Sequence, residues 1–103
     1  MEKNINKLTA PELERLALLS EELGEAQQII GKILRHGYES RHPDGGSTNR
    51  VLLEHEIADI EVAIFLLEES EDVLLGEISE CFQEALERKG KYLHYNKIPK
   101  YTK

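Results

Sequence analysis

The stretch LLSEELGEAQQII, residues 18–30, meets a partial echo in LLEHEIADIEVAI, residues 52–64, and the pair decides how the chain folds. Both place leucine and isoleucine at three- and four-residue spacing, the pattern of an amphipathic helix rather than the alternation of a strand. They match at Leu-Leu, a Glu, an aliphatic residue, a small residue, an acid and a final Ile. The echo is either a chance likeness of two acidic helices or two segments performing one task in one site.

Working outward, the first helix is expected over residues 9–36. Thr9 and Glu12 have the spacing of a capping box, Pro11 sits where a first turn tolerates it, and Gly37 is a natural stop. Gly24 and Gly31 inside it either admit a neighbouring helix or are tolerated defects. Residues 37–49, GYESRHPDGGSTN, read as a loop, with Ser47, Thr48 or Asn49 available to cap a second helix over 50–69. A third helix is expected over 73–96, capped by Asp72 and stopped by Pro99, with 97–103 as a tail. No segment sustains period-two alternation, so no sheet is expected. The fold class is all-α: a helical bundle of three main helices per chain, one domain over residues 1–103, completed by homo-oligomerisation.

The chain has 103 residues, the size of one domain. At this size folding buries only about 60–65% of the unfolded surface, which favours self-association. Asp and Glu number 20 against 13 Lys and Arg, a net charge of −7. That balance argues against a binder of nucleic-acid polymers, which needs a basic face. It leaves open phosphate ligands that arrive with a divalent cation. No apolar run approaches the ~20 residues of a membrane span. The opening MEKNINKLTAPELE lacks the apolar core of a secretory signal, and the single cysteine, Cys81, cannot form an internal disulfide. A cytoplasmic protein without membrane attachment is expected.

The acids divide into two populations on helical wheels, at about 100° per residue. Glu54, Glu61 and Glu68 fall on a solvated face. Glu22 falls inside the apolar arc of the first helix, between Ile29 and Ile33, and Glu25 at its edge beside Leu18. Glu56 and Asp59 fall in the middle of the apolar arc of the second helix. Ionised carboxylates turned inward require positive charge, and inward bases are scarce. Two pairs at i and i+3 on two helices form a set of hard oxygen ligands suited to Mg²⁺, with Mn²⁺ as a substitute. A di-iron bundle would need Glu-x-x-His on its helices. Here that spacing occurs only from Glu39 to His42, in the loop. On the third helix Lys89 and Asn96 share the apolar face, and on the first Lys32 and Arg35 lie beyond Glu25; each is either ordinary surface polarity or a phosphate contact.

Glu21-Glu22-Leu23-Gly24-Glu25, a spacer of about thirty residues, and Glu56-Ile57-Ala58-Asp59 resemble the EExxE…ExxD signature of the MazG-like all-α nucleoside triphosphate pyrophosphohydrolases. The spacer is slightly longer than that signature usually has. Lys32-Ile33-Leu34-Arg35-His36-Gly37 and Asn49-Arg50 add likeness to short, single-domain, phage-type members, and the similarity covers roughly residues 12–95. The resemblance implies Mg²⁺ held by Glu22, Glu25, Glu56 and Asp59. It implies cleavage of the α–β phosphoanhydride of an NTP or dNTP to monophosphate and pyrophosphate, with Glu25 and Glu56 as catalytic residues, and assembly as homodimers or homotetramers. Family members place Lys, Asn or Arg on the last helix near the phosphates; Lys89 and Asn96 depart from the usual spacing, and Lys32 and Arg35 are further candidates for binding substrate. The alternative is a non-catalytic helical interaction module, or a nucleotide-sensing regulator, derived from the same fold.

Overall fold

The computed structural model describes residues 5–99. Three helices follow one another: α1, Ala10–His36; α2, Asn49–Glu69; and α3, Leu75–Gly90. No strand occurs among the described residues. The architecture is an all-α helical bundle, and no helix is long and apolar enough to cross a membrane.

Capping chemistry sets the first two helices. Thr9 is the N-cap of α1: its side chain accepts from the backbone N–H of Glu12, while the Glu12 carboxylate accepts from the backbone N–H of Thr9 at 2.7 Å. This reciprocal box satisfies two of the donors that a helix start leaves orphaned. Gly37 ends α1 at φ 91°, a left-handed conformation that costs glycine little, and its N–H returns to the carbonyl of Ile33. Of the three candidates for the second cap, Thr48 takes the role, its hydroxyl accepting from Val51 N–H.

α1 and α2 form an antiparallel hairpin, the one extensive helix–helix contact among the described residues. Arg15, near the start of α1, grips Asp72, just past the end of α2, through two hydrogen bonds, one of them 3.0 Å from Nη2 to Oδ1. At the opposite end, Asn49 at the start of α2 donates to the carbonyl of Gly37 at 3.1 Å. The seam between them is thin. Its buried members are Ala26, Ala63 and Leu67 among apolar residues, and Glu22, Asn49 and Glu56 among polar ones.

The seam is also narrower than the apolar arcs suggest. On α1, Leu19, Ile29 and Ile33 join Glu22 and Ala26 as half-buried or buried. Leu16, Leu23, Ile30 and Leu34 are exposed, Leu34 at 82%. Gly24 and Gly31 admit no second helix: a side chain at Gly24 would meet nothing, and one at Gly31 only Arg35 of its own helix.

The third helix differs from expectation at both ends. It spans Leu75–Gly90 instead of 73–96, with Leu74 in the N-cap position and no side-chain cap. Asp72 does not cap it, because its carboxylate is taken by Arg15. At the far end the chain turns, with Tyr92 N–H returning to the Lys89 carbonyl, and Ile98 folds back over Gly90, where a Cβ would stand 2.8 Å from Ile98 Cγ1. Glycine here makes room for that return. The tail residues 100–103 lie outside the described residues.

No residue of α3 is buried, and the radius of gyration is 17.4 Å, against roughly 13 Å for a close-packed chain of this length. The third helix is therefore an arm whose apolar residues, Leu75 and Ile78 among them, face away from the hairpin core. If the seam supplies the tertiary stability, truncating Leu67, 4% exposed, to alanine lowers unfolding free energy by about 2–3 kcal/mol. Urea denaturation checks this, and a loss under about 0.5 kcal/mol, the size of a surface substitution, would show that stability resides elsewhere.

Candidate metal centre

The hairpin brings acids from its two helices to one place. Glu22 from α1 and Glu56 and Asp59 from α2 each offer a carboxylate oxygen, all within 4.8 Å of one another. Glu22 and Glu56 sit inside the seam, one helical turn from Ala26 and two from Ala63 respectively, so the packing that buries the alanines buries the carboxylates too.

Not every expected acid turns inward. Asp59 is exposed, in contrast to the mid-arc placement read from the wheel, and Glu25, read at the edge of its arc, is exposed too. The reason is the narrow seam: residues three positions along from Glu22 and Glu56 rotate about 60° and emerge at its edge. Asp59 still reaches the trio from there. Glu25 stands outside it, near enough for its charge to bear on both Glu22 and Glu56.

The electrostatics are one-sided. Glu56 is 5% exposed, and with the acids ionised its Oε1 is buried without a hydrogen-bond partner. Burial first, then the Glu25 hydrogen bond, then the charges of Glu22, Glu25 and Asp59 push the Glu56 carboxyl up to about 7. Glu22 is raised by burial first, then by the charges of Glu25, Asp59 and Glu21. No Lys or Arg pairs with either among the described residues. Buried oxygens of one sign, lacking a protein counter-charge, have the composition of a hard-cation site. The trio supplies three carboxylates from two rigid helices, and a divalent cation fits that donor set and would give the orphaned Oε1 its partner.

The remaining candidates divide. Lys32 and Arg35 line a pocket of about 510 Å³ formed by the end of α1, the loop and the start of α2. Lys89 lies in the last turn of α3 and Asn96 beyond its end; neither joins the acids or that pocket. His36 and His42, which the sequence offers as contacts to a base or as ordinary exposed loop residues, also line the pocket, as do Asn49 and Arg41, which it does not single out as binding residues. Asn49 carried one usable signal, its place two turns before Glu56 on the same stripe of α2. No protein-family model, curated protein or solved structure matches this chain.

The raised Glu56 pKa makes a signed prediction. Folding favours the protonated form, so its stabilising effect is complete below about 4.5, the unfolded value, and fades as pH climbs through about 7. The melting temperature of chelator-treated protein should fall across that interval, and Glu56→Gln should flatten the fall. A wild-type melting temperature that stays level or rises from pH 4.5 to 7 would contradict the burial of a free carboxyl.

Proposed function

We propose that this chain is a Mg²⁺-dependent nucleoside triphosphate pyrophosphohydrolase, similar in kind to the MazG-like enzymes its acidic motifs resemble, releasing pyrophosphate from an NTP or dNTP. The observation that carries the reading is Glu56: a buried carboxylate with an orphaned oxygen, facing Glu22 and Asp59, with no basic partner among the described residues. Glu22, Glu56 and Asp59 hold the cation, with Glu25 as a fourth ligand or neighbour. When bound, the cation neutralises phosphate oxygens and makes water a better nucleophile.

The chain's own groups supply the rest. Glu25 is exposed at the edge of the trio, near enough for its charge to bear on Glu22 and Glu56. It is placed to accept a proton from attacking water. Lys32 and Arg35 lie on the α1 stripe that continues from Glu25, and helical side chains lean toward the N-terminus, back toward the acids. They are the candidate phosphate contacts within one chain.

Lys89 and Asn96 belong to the third helix and the turn beyond it, and reach an acidic cluster only if another copy brings them there. The exposed apolar residues of α1 and α3, Leu23, Ile30 and Ile78 among them, favour such a homodimer or homotetramer. The reading places the protein in the cytoplasm, with free nucleotide as its substrate. A second reading is favoured by the same uncovered α3 face: a helical interaction module, or a regulator that senses nucleotide without hydrolysing it.

Pyrophosphate release from a panel of NTPs and dNTPs separates these readings. The enzyme reading expects turnover dependent on Mg²⁺ or Mn²⁺, reduced at least about a hundredfold by Glu56→Gln with helicity retained by circular dichroism. Undiminished release by that variant would remove the assignment of the site. Mass action also expects Mg²⁺ at about a hundred times its Kd to add about 2.7 kcal/mol of stability. A melting temperature indifferent to millimolar Mg²⁺ and Mn²⁺ would favour the interaction module, and a metal-dependent shift with nucleotide but no product would favour the regulator.

A further inference from the structure

We infer that the pocket at the α1–loop–α2 junction is a phosphate-binding site that works without the metal. It lies at the loop end of the hairpin and shares no lining residue with the acidic trio. Leu52 precedes Glu56 by four residues, while Lys32 and His36 follow Glu22 by ten and fourteen, so the lining begins about 6 Å from the acidic trio along α2 and runs from about 15 to about 21 Å along α1.

Its charge is opposite to that of the chain. Lys32, Arg35 and His36 from α1 and Arg41 and His42 from the loop line it, with no Asp or Glu among the lining residues. This concentration of donors occurs in a chain of net charge −7. Lys32, Arg35 and Arg41 enter no ion pair among the described residues. Of the loop's own acids, Glu39 accepts from Arg50 Nε at 2.7 Å, while Asp44 lies 3.5 Å from Nδ1 of His42, itself a lining residue. That Nδ1 also accepts the backbone N–H of Asp44 at 3.1 Å.

The pocket is built before any ligand arrives. Backbone bonds from Asn49 N–H to Ser40 O, 2.8 Å, and from Arg50 N–H to Tyr38 O, 2.9 Å, pin the loop to the start of α2. The buried Asn49 side chain ties the same end to Gly37, and the Arg50 guanidinium lies 4.4 Å over the Tyr38 ring. Gly45 and Gly46, at φ 101° and 103°, make the tight turn that closes the loop over the cavity. Arg41 Nη1 donates to the Gly46 carbonyl at 3.3 Å, and a preformed cleft lined with guanidinium and ammonium groups that enter no ion pair among the described residues matches the fork geometry and charge of a phosphate group. That group is supplied either by a nucleotide whose other phosphates sit at the acids, or by free inorganic phosphate. The inference shares Lys32 and Arg35 with the proposed enzymatic reading but does not rest on its metal.

Calorimetric titration of the chelator-treated chain tests it, with inorganic phosphate and a nucleoside triphosphate as separate probes. Saturable phosphate binding is expected, weakened roughly tenfold or more in the Arg35→Ala, Arg41→Ala double variant and unchanged in Glu56→Gln. Both arginines are exposed, so the double variant should keep its helicity, which circular dichroism verifies. If the triphosphate binds more tightly and displaces phosphate, the nucleotide is the source; if phosphate binds and the triphosphate fails to displace it, free phosphate is. Wild-type protein that gives no saturable heat with either probe, or a double variant that binds as wild type does, would overturn the proposal. Binding lost in Glu56→Gln would overturn the pocket's independence from the acidic site. Pyrophosphate release can fail while phosphate binding survives, so the two proposals fall separately.

Discussion

A carboxylate held between two helices with no basic partner among the described residues is the constraint around which this molecule is arranged. Glu56 is packed into the seam by the same contacts that bury Ala63 and Leu67, so it cannot swing to water without parting α1 from α2. Glu22 faces it from the other helix under the same restriction. Burial and mutual repulsion both penalise ionisation, and two remedies exist: the cluster keeps a proton, or it takes a cation. The first is available to the free chain near neutral pH. The second turns a local strain in the fold into affinity for a ligand.

That constraint explains why so short a chain has so thin a core. Small residues line the seam, Ala26 beside Glu22 and Ala63 beyond Glu56, and they let the helices approach closely enough for acids on opposite helices to share a site. Close approach sacrifices apolar burial, and the larger side chains end up outside: Leu16, Leu23 and Ile30 on α1, and Phe65 on α2. The clamp of Arg15 on Asp72 at one end and the Asn49 bond to Gly37 at the other hold the hairpin's length and register, which fixes the height at which Glu22 meets Glu56. The third helix contributes nothing to this arrangement within one chain.

Local chemistry made the helices readable in the residues. The Thr9–Glu12 box, the Thr48 cap and Gly37 act within a few residues of themselves, so their signals are present in the sequence. The end of α3 was harder to read because it depends on a contact at a distance: Ile98 returning over Gly90. Asp72 misled for a similar reason, since a partner fifty-seven residues away, Arg15, claims the carboxylate that sequence spacing offers to a helix cap. Glu22 and Glu56 were legible as inward acids from the wheel alone. Glu25 was legible as an edge residue; Asp59 was not placed correctly, because a wheel shows the width of an apolar arc but not how much of it the neighbouring helix covers. The phosphate pocket was legible only as isolated basic residues; its shape comes from backbone bonds between loop and helix.

The account stands on the cation that Glu22, Glu56 and Asp59 are arranged to share. Crystals grown with Mn²⁺ and measured at its absorption edge test that most directly. An anomalous peak between these three side chains, with metal–oxygen distances of about 2 Å, is the predicted result. Electron density showing the three carboxyls in contact through shared protons, with no anomalous peak among them at saturating Mn²⁺, would contradict it.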